Sequence, residues 1–295
     1  MFRIHNTRFL EIAYRYNPRL IKFILGLAYP FHTSRAKGIP GLLFMLLGHY
    51  ITVGHYRGTF PPVEQAFKHP DGLLSIGGPL STSRLIYAYY NGIYPWCHIS
   101  PIKWWAPKER MVLFLNEAHL AKNLRKLIRR RMYRVTFDVA FREVIQACAE
   151  ARPKKLPLTW ISPQIIEAYI RLHLAGYAHS VEVWDANENL VGGLYGVAIG
   201  GIFFSESQFA RKSDASKVGD ATLNCHLQKW GFELNDSKRY SEFLAATGSR
   251  LIKRAEFMRH LNELRDQPNR HHPWVVDESL DVASWNPGAG IGARK

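Results

Sequence analysis

The sequence predicts an α+β fold, a central and mostly antiparallel sheet with flanking helices, and three observations carry that expectation. The first is a meander between His179 and Lys217. Val181 and Val183 alternate with Glu182 and Trp184, Asp185 to Asn189 is turn-forming, and two apolar runs follow from Leu190 to Ile199 and from Ile202 to Phe209. The second is Gly200-Gly201 between those runs, a tight two-residue hairpin loop, since only glycine takes positive φ twice without steric cost. The third is a set of capped helical stretches, with Ser81 and Ser162 as N-caps, Pro163 at a first helical position, and Gly92 and Gly176 as stops. A chain of 295 residues, 47% of them hydrophobic, can bury a sizeable core in two domains or one decorated domain.

In chain order, residues 1–55 form a helical extension that is both basic and apolar. Leu20 to Phe31 and Gly41 to Gly54 are apolar but carry or adjoin Arg19, Lys22, Arg35 and Lys37. Neither reaches the roughly 18 uninterrupted apolar residues of a membrane span. No small-residue cleavage site follows, which argues against a signal peptide. Two short helices on the body, or a basic helix in weak contact with a membrane surface, are the readings left open. From Phe60 the texture changes. His69 to Gly78 holds a strand between turns, and a helix runs from Ser81 through Leu85 and Tyr89. Tyr94-Pro95-Trp96 and Trp104-Trp105-Ala106-Pro107 are dense in aromatic rings, which serve either as core or as faces for a nucleobase.

A basic helix is expected over Leu120 to Arg131. Leu120, Leu124, Leu127 and Ile128 make one apolar stripe, and Lys122, Arg125, Lys126, Arg129 and Arg130 take the opposite face. No acidic residue interrupts the run from Lys122 to Arg134, and the chain carries a formal charge of +15. Both point to a phosphate track on a polyanionic partner. Arg134 to Phe137 reads as a strand, Ala140 to Ala151 as a helix, and a further helix runs from Ser162 to Gly176. After the meander come a helix to Trp230, a strand from Glu233 to Lys238, a short helix from Glu242 and a last helix from Arg254 to Leu264. Residues 267–295 are polar, rich in Pro, Gly and Asn, and are expected to be a loose tail.

Within the meander Glu206 stands in a strand between Phe203-Phe204 and Phe209. A carboxylate there costs several kcal/mol of desolvation unless something pairs with it. It is the first candidate for chemistry. Gly192-Gly193 marks a bulge or a place where a ligand approaches the backbone. Cys97, Cys148 and Cys225 are odd in number and far apart, as expected of reduced thiols in a cytoplasmic protein. The 13 histidines form no ligand spacing, so no metal site is expected.

Several stretches taken together resemble the leucyl/phenylalanyl-tRNA–protein transferase family. They are Asp71-Gly72-Leu73-Leu74 with Gly77-Gly78, Gly92-Ile93-Tyr94-Pro95-Trp96, Trp104 to Pro107, Tyr133 to Thr136, Thr159-Trp160-Ile161, Ala178 to Trp184, Leu190 to Val197, Glu206-Ser207 with Phe209, and Asp214-Ala215-Ser216-Lys217. Order and spacing agree from about residue 58 to about residue 264. The resemblance implies a small α/β N-terminal domain over 56–117 and a GNAT-like acyltransferase domain over 118–266. It implies an enzyme that moves leucine or phenylalanine from aminoacyl-tRNA to acceptor proteins with N-terminal Arg or Lys, tagging them for degradation, with no cofactor. By position, Trp96 and Trp160 would hold the terminal adenosine, and Leu194, Phe204, Ser205 and Gln208 would line the amino-acid pocket. Glu206 would be the carboxylate near the ester and Asp236 the acidic member of the catalytic pair.

The chain departs from the family at Asp236-Ser237-Lys238, where the family has Asp-Cys-Gln, and at Ser241, Phe243 and Gln208. On a strand, Asp236 and Lys238 would point to one face. Lys238 is then expected as a cation near the developing oxyanion or a tRNA phosphate. The alternative that this change motivates is a catalytically altered protein of the same fold that binds tRNA or N-degrons. A CoA-dependent acetyltransferase is disfavoured, because Ala210 to Gly219 offers a single glycine, at the wrong end of a pyrophosphate loop.

Overall fold

The computed structural model describes residues 39–40, 43–44, 59–98, 101–150, 159–271 and 274–289. The readings of residues 1–55 as packed helices or a membrane-contacting segment lie almost wholly outside the described residues. Among the described residues no helix is long and apolar enough to cross a membrane. The chain divides into two compact units, one of residues 1–108 with 149–165 and one of 109–148 with 166–295.

The smaller unit is organised on a three-stranded antiparallel sheet of β1 (Leu73–Ile76), β2 (Tyr94–Pro95) and β3 (Lys103–Trp105), in the order β1-β3-β2. Its aromatic residues are mostly core. Trp104 is buried and donates its indole N–H to the Gly77 carbonyl at 2.9 Å, while the Trp105 indole reaches the Trp96 carbonyl at 2.7 Å. Helix α1 (Thr82–Tyr90) begins where the Ser81 hydroxyl accepts the Arg84 N–H. Arg84 is buried with its guanidinium 4.0 Å from the Phe60 ring centroid, and burial lowers its pKa to about 10. Gly72 is required at φ +83°, because a Cβ there would lie 2.4 Å from the Pro107 backbone.

The larger unit holds a seven-stranded sheet. Its strands are β4 (Glu109–Phe114), β5 (Arg134–Phe137), β6 (Ala178–Trp184), β7 (Leu190–Ile199), β8 (Ile202–Ala210), β9 (Leu234–Asp236) and β10 (Arg250–Lys253), in the order β10-β4-β9-β8-β7-β6-β5. Its neighbouring strands pair antiparallel except β8 with β9, which run parallel. A mixed α+β architecture is thus what the sequence leads one to expect. β4 lies in this sheet, so the large unit takes in residues from 109 that the reading of the chain gave to the 56–117 domain. The cause is its register: Val112 faces Asp236 and Arg250, which seats β4 between β9 and β10.

Helices of this unit are α2 (Lys122–Arg129), α3 (Phe141–Ala149), α4 (Pro163–Leu174, its first residues counted with the smaller unit), α5 (Ala215–Lys229), α6 (Glu242–Ala246) and α7 (Arg254–Leu264). α5 lies against β6, β7 and β8, and glycines allow the close approach. A Cβ at Gly192 would meet the Ala215 Cβ at 2.7 Å, and one at Gly219 would meet Val183 Cγ2 at 2.8 Å. Gly192 is therefore explained by a helix, beside a register shift opposite Val183 and Trp184, rather than by a ligand. The β7–β8 hairpin turns at Gly200-Gly201 as expected, but only Gly200, at φ +53°, takes the positive φ expected of both.

The expected loose tail is corrected. Trp274 is 1% exposed, stacked 3.7 Å from the His179 ring and packed with Phe203, Phe232 and Trp230. Val282, Ala283 and Trp285 are buried too. Polar composition hid a few large apolar anchors, and burying each contributes about 1.5–3 kcal/mol. The core cluster that Trp274 joins contains Leu113, Phe137, Val181, Leu194, Leu223 and Leu227, while Val282 and Trp285 pack with Leu120, Ala221 and Cys225.

Candidate active site in the seven-stranded sheet

Three ionisable side chains meet where β8 and β9 run side by side. Between Tyr195 and Gly196 the β7–β8 register shifts: Tyr195 faces Ser207 and Gly196 faces Ser205, so Glu206 is the extra residue of a bulge. The bulge turns a strand residue inward. The Glu206 side chain is 2% exposed, and its Oε1 lies 2.7 Å from Lys238 Nζ, itself 8% exposed. The same ammonium donates to the Ser205 carbonyl. Burying a carboxylate and an ammonium separately would cost several kcal/mol each, and their contact with the added carbonyl bond offsets much of that.

Lys238 reaches Glu206 because the chain leaves the strand. β9 ends at Asp236, and Lys238 sits at φ +66°, a left-handed conformation that side chains with a Cβ seldom adopt. Asp236 holds that turn, since its Oδ1 accepts the Lys238 backbone N–H at 2.9 Å. This corrects the expectation of a strand through Lys238 with both side chains on one face. It also corrects the pairing. Asp236 is buried against Arg110 of β4, whose Nε donates to Oδ1 at 3.2 Å and whose Nη2 reaches Oδ2. The Arg110 guanidinium lies 4.4 Å from the Phe257 ring centroid, which covers its other side. A carboxylate already forked by a guanidinium positions its neighbour; Glu206 is the carboxylate that meets Lys238. Tyr195 stands opposite the bulge, fully buried. Burial first, then the charges of Tyr169, Glu206 and Cys148, push its phenol well above its ordinary range, so it stays neutral.

The other expected residues are distributed as follows. Phe204 is buried beside Asp236 in the parallel register, and the Ser205 hydroxyl donates to Asn235 Oδ1 at 2.9 Å. Leu194 is a member of the core cluster, and Gln208 stands directly across from it on β8. Trp96 and Trp160 are half-buried residues of the smaller unit, Trp96 with an edge contact to Trp105 at 5.9 Å. On α2, Lys122, Lys126, Arg129 and Arg130 are exposed as a phosphate track requires. Arg125 is not: its Nη1 donates to the Ala283 and Trp285 carbonyls at 2.8 and 2.9 Å. It fastens the C-terminal segment around the short 3-10 turn Val282–Ser284 by satisfying two of its backbone carbonyls.

The sequence reading did not single out Arg110, Asp138 or His179. Arg110 carried one faint signal, a charge beside the apolar run Met111-Val112-Leu113. Asp138 accepts from His179 Nδ1 at 2.8 Å and from the Ser180 and Trp274 N–H groups, and nothing local announces these distant pairings. Burial alone would raise its pKa, but the His179 contact, the Ser180 N–H and the nearby His173 hold it below the usual carboxylate range.

A mixed sheet, a bulge that delivers a buried carboxylate to an ammonium, and an exposed basic helix in the same unit describe a transferase that handles a polyanionic substrate. Residues 112–262 match the family model described as leucyl/phenylalanyl-tRNA protein transferase, and residues 78–108 match the model of its N-terminal domain. The leucyl/phenylalanyl-tRNA–protein transferase of Pseudomonas fluorescens (strain SBW25) is 50% identical over 74% of this chain and 95% of its own length. That of Cellvibrio japonicus is 48% identical over 78% of this chain and 97% of its own length. The chain belongs to the leucyl/phenylalanyl-tRNA–protein transferase family and is an aminoacyltransferase. Among solved structures, FemX aligns with a TM-score of 0.41 at 11% identity over 50% of this chain and 60% of that one, too slight a likeness to define the fold.

Proposed function

We propose that the Glu206–Lys238 pair is the reaction centre for moving leucine or phenylalanine from aminoacyl-tRNA to the α-amine of a protein that begins with Arg or Lys. The observation that carries this is the 2.7 Å contact between the two side chains in a nearly water-free setting. An aminoacyl ester is already activated, so positioning and proton handling supply most of the rate. The acceptor amine, with a pKa of about 8, attacks the ester carbonyl. The new C–N bond forms as the ester C–O bond breaks. Glu206 accepts the proton the amine gives up and passes it to the departing ribose oxygen, while the Lys238 ammonium holds Glu206 in place by its short hydrogen-bonded contact. Asp236, fixed by Arg110, holds the Lys238 turn and is a positioning residue. Trp96 and Trp160 fit the role of stacking the terminal adenosine, and Lys122, Lys126, Arg129 and Arg130 that of meeting acceptor phosphates. The parallel β8–β9 pair in an otherwise antiparallel sheet, joined by α5, supports reading the large unit as GNAT-like. A cytoplasmic site of action fits three free thiols and both substrates.

The test is single-turnover transfer of leucine from Leu-tRNA to a peptide beginning with Arg. Lys238→Gln keeps a donor toward Glu206 and is expected within about tenfold of wild type. Lys238→Met leaves a buried carboxylate unanswered and is expected to fall by 10²-fold or more. Equal rates for the two variants would remove Lys238 from the chemistry. No transfer by the wild type would favour a protein that binds tRNA or N-degrons without reacting.

A further inference from the structure

The transfer proposed above gives the amine's proton to Glu206 and leaves one charge unanswered. As the amine adds to the ester, the carbonyl oxygen takes up negative charge, and in a water-poor site it needs a donor already in place. Lys238 is committed elsewhere, since its ammonium meets Glu206 at 2.7 Å and donates to the Ser205 carbonyl. Arg110 is committed to Asp236.

A donor without a partner stands beside the bulge. Tyr195 is 0% exposed, and among the described residues its hydroxyl makes no hydrogen bond. Such a group is stripped of water with nothing in the free protein to offset the loss. Tyr195 faces Ser207 across the β7–β8 ladder, and Glu206 is the extra residue next to Ser207, so the tyrosine and the glutamate leave the sheet on one face. Leu194 takes the other face, in one core cluster with Leu223 and Leu227 of α5. The Tyr195 face is the one that α3 and α4 cover: its ring meets Phe141 edge-on at 5.9 Å and Tyr169 at 5.6 Å. Burial first, then the charges of Tyr169 and Glu206, keep the phenol protonated and therefore a donor. The backbone beside it is open. Ser205, Glu206, Ser207 and Gln208 are each partly exposed although the Glu206 side chain is 2% exposed, so a substrate has an approach along the bulge.

We infer that Tyr195 is a further catalytic residue, whose phenol O–H donates to the carbonyl oxygen of the aminoacyl ester as the tetrahedral centre forms. The C–N bond forms, the carbonyl π electrons move onto oxygen, and the phenol holds that oxygen by a hydrogen bond without giving up its proton. The electrons return as the ester C–O bond breaks, and the amine's proton leaves through Glu206 to the ribose oxygen. An amine within reach of Glu206 brings the carbonyl oxygen to within two bonds of its own nitrogen, on the face that Glu206 and Tyr195 share. The hydroxyl is unpartnered in the free protein because its partner arrives with the substrate. This assignment rests on the transfer reaction proposed above and supplies the donor it lacks.

The test compares wild type with Tyr195→Phe. Single-turnover transfer from saturating Leu-tRNA is expected to fall by about 10²-fold, with Kd for Leu-tRNA changed by no more than about threefold. The thermal midpoint is expected to equal that of wild type or exceed it, because the variant removes a buried hydroxyl that has no partner. A phosphonate analogue of leucyl-adenosine, tetrahedral where the ester carbon is planar, is expected to bind the variant about tenfold more weakly or worse, and the planar amide analogue to bind both proteins equally. Should Tyr195→Phe fold poorly, 3-fluorotyrosine at position 195 decides, because this stronger donor of nearly the same size is expected to tighten the phosphonate. Transfer within about threefold of wild type, a lost rate matched by a lowered midpoint, or phosphonate affinity indifferent to the hydroxyl overturns the inference. The two readings fail separately. Transfer that survives in Glu206→Gln but not in Tyr195→Phe sinks the Glu206–Lys238 centre and leaves Tyr195 standing, and transfer lost in Glu206→Gln alone does the reverse.

Discussion

Two buried glutamates two strands apart in one sheet are answered in opposite ways. Glu182 on β6 faces neutral donors: the Thr136 hydroxyl at 2.6 Å, the Ser180 hydroxyl, and the Val139 and Ala140 N–H groups at 3.4 and 3.3 Å where α3 begins. Burial raises its pKa, and those four contacts pull the other way. Glu206 on β8 faces an ammonium carried on a left-handed turn. The first arrangement ties two strands to a helix N-terminus and has no charge to exchange. In the second, a proton acceptor and a proton donor touch. A buried carboxylate is thus informative only together with what answers it.

The largest expected effect breaks the region around Glu206. Asp236→Asn leaves the Arg110 guanidinium buried without its carboxylate, a loss of about 3–5 kcal/mol. Unfolding in urea should show it, and transfer should fall with it as the Lys238 turn loosens. Full stability in this variant would mean that the Arg110–Asp236 contact is not what holds the site. Next in size is Trp274→Ala on the β6 side, which removes the ring stacked on His179 and should cost about 3–5 kcal/mol. Because this side is scaffold, transfer at a temperature where the variant stays folded should be within a few-fold of wild type.

Much of this contrast was legible in the sequence, and the reasons for the rest are physical. The β7–β8 hairpin, α7 and the basic helix were readable because their signals are local: periodicity, glycine pairs and capping residues. Glu206 stood out because a charge interrupts an apolar run. Its partner did not, because Lys238 reaches it through one residue at positive φ, and alternation assumes an unbroken strand. Arg125 looked like one more surface cation, since nothing near it in sequence announces the Ala283 and Trp285 carbonyls. Trp274 and Trp285 were lost inside a polar stretch for the same reason. Pairings between distant residues leave no periodic trace.

A third carboxylate sharpens the comparison with a smaller effect. Asp220, pushed up to about 6 and held by one amide, binds its proton more tightly folded than unfolded, where its value is 3.8. Its stabilising contribution is therefore full below about pH 4 and lost as pH rises through about 6. Asp220→Asn should show a higher thermal midpoint than wild type above pH 6, by roughly 2–4 °C for each kcal/mol relieved, with the gap closing near pH 4. A constant gap across that range would place the strain elsewhere.

The central claim is that Glu206 reacts and Glu182 supports, and one paired measurement tests it most directly. Single-turnover leucine transfer and thermal midpoint are measured side by side for Glu206→Gln and Glu182→Gln. Glu206→Gln should lose transfer by 10²-fold or more even where it stays folded, because the amide cannot accept the amine's proton, and should also lose about 3–5 kcal/mol of stability, because the Lys238 ammonium is left buried without its carboxylate. Glu182→Gln should lose about 1–3 kcal/mol of stability, because an amide cannot accept from all four donors, and keep its transfer rate within a few-fold when folded. Transfer that survives in Glu206→Gln, or collapses in a folded Glu182→Gln, would contradict the assignment.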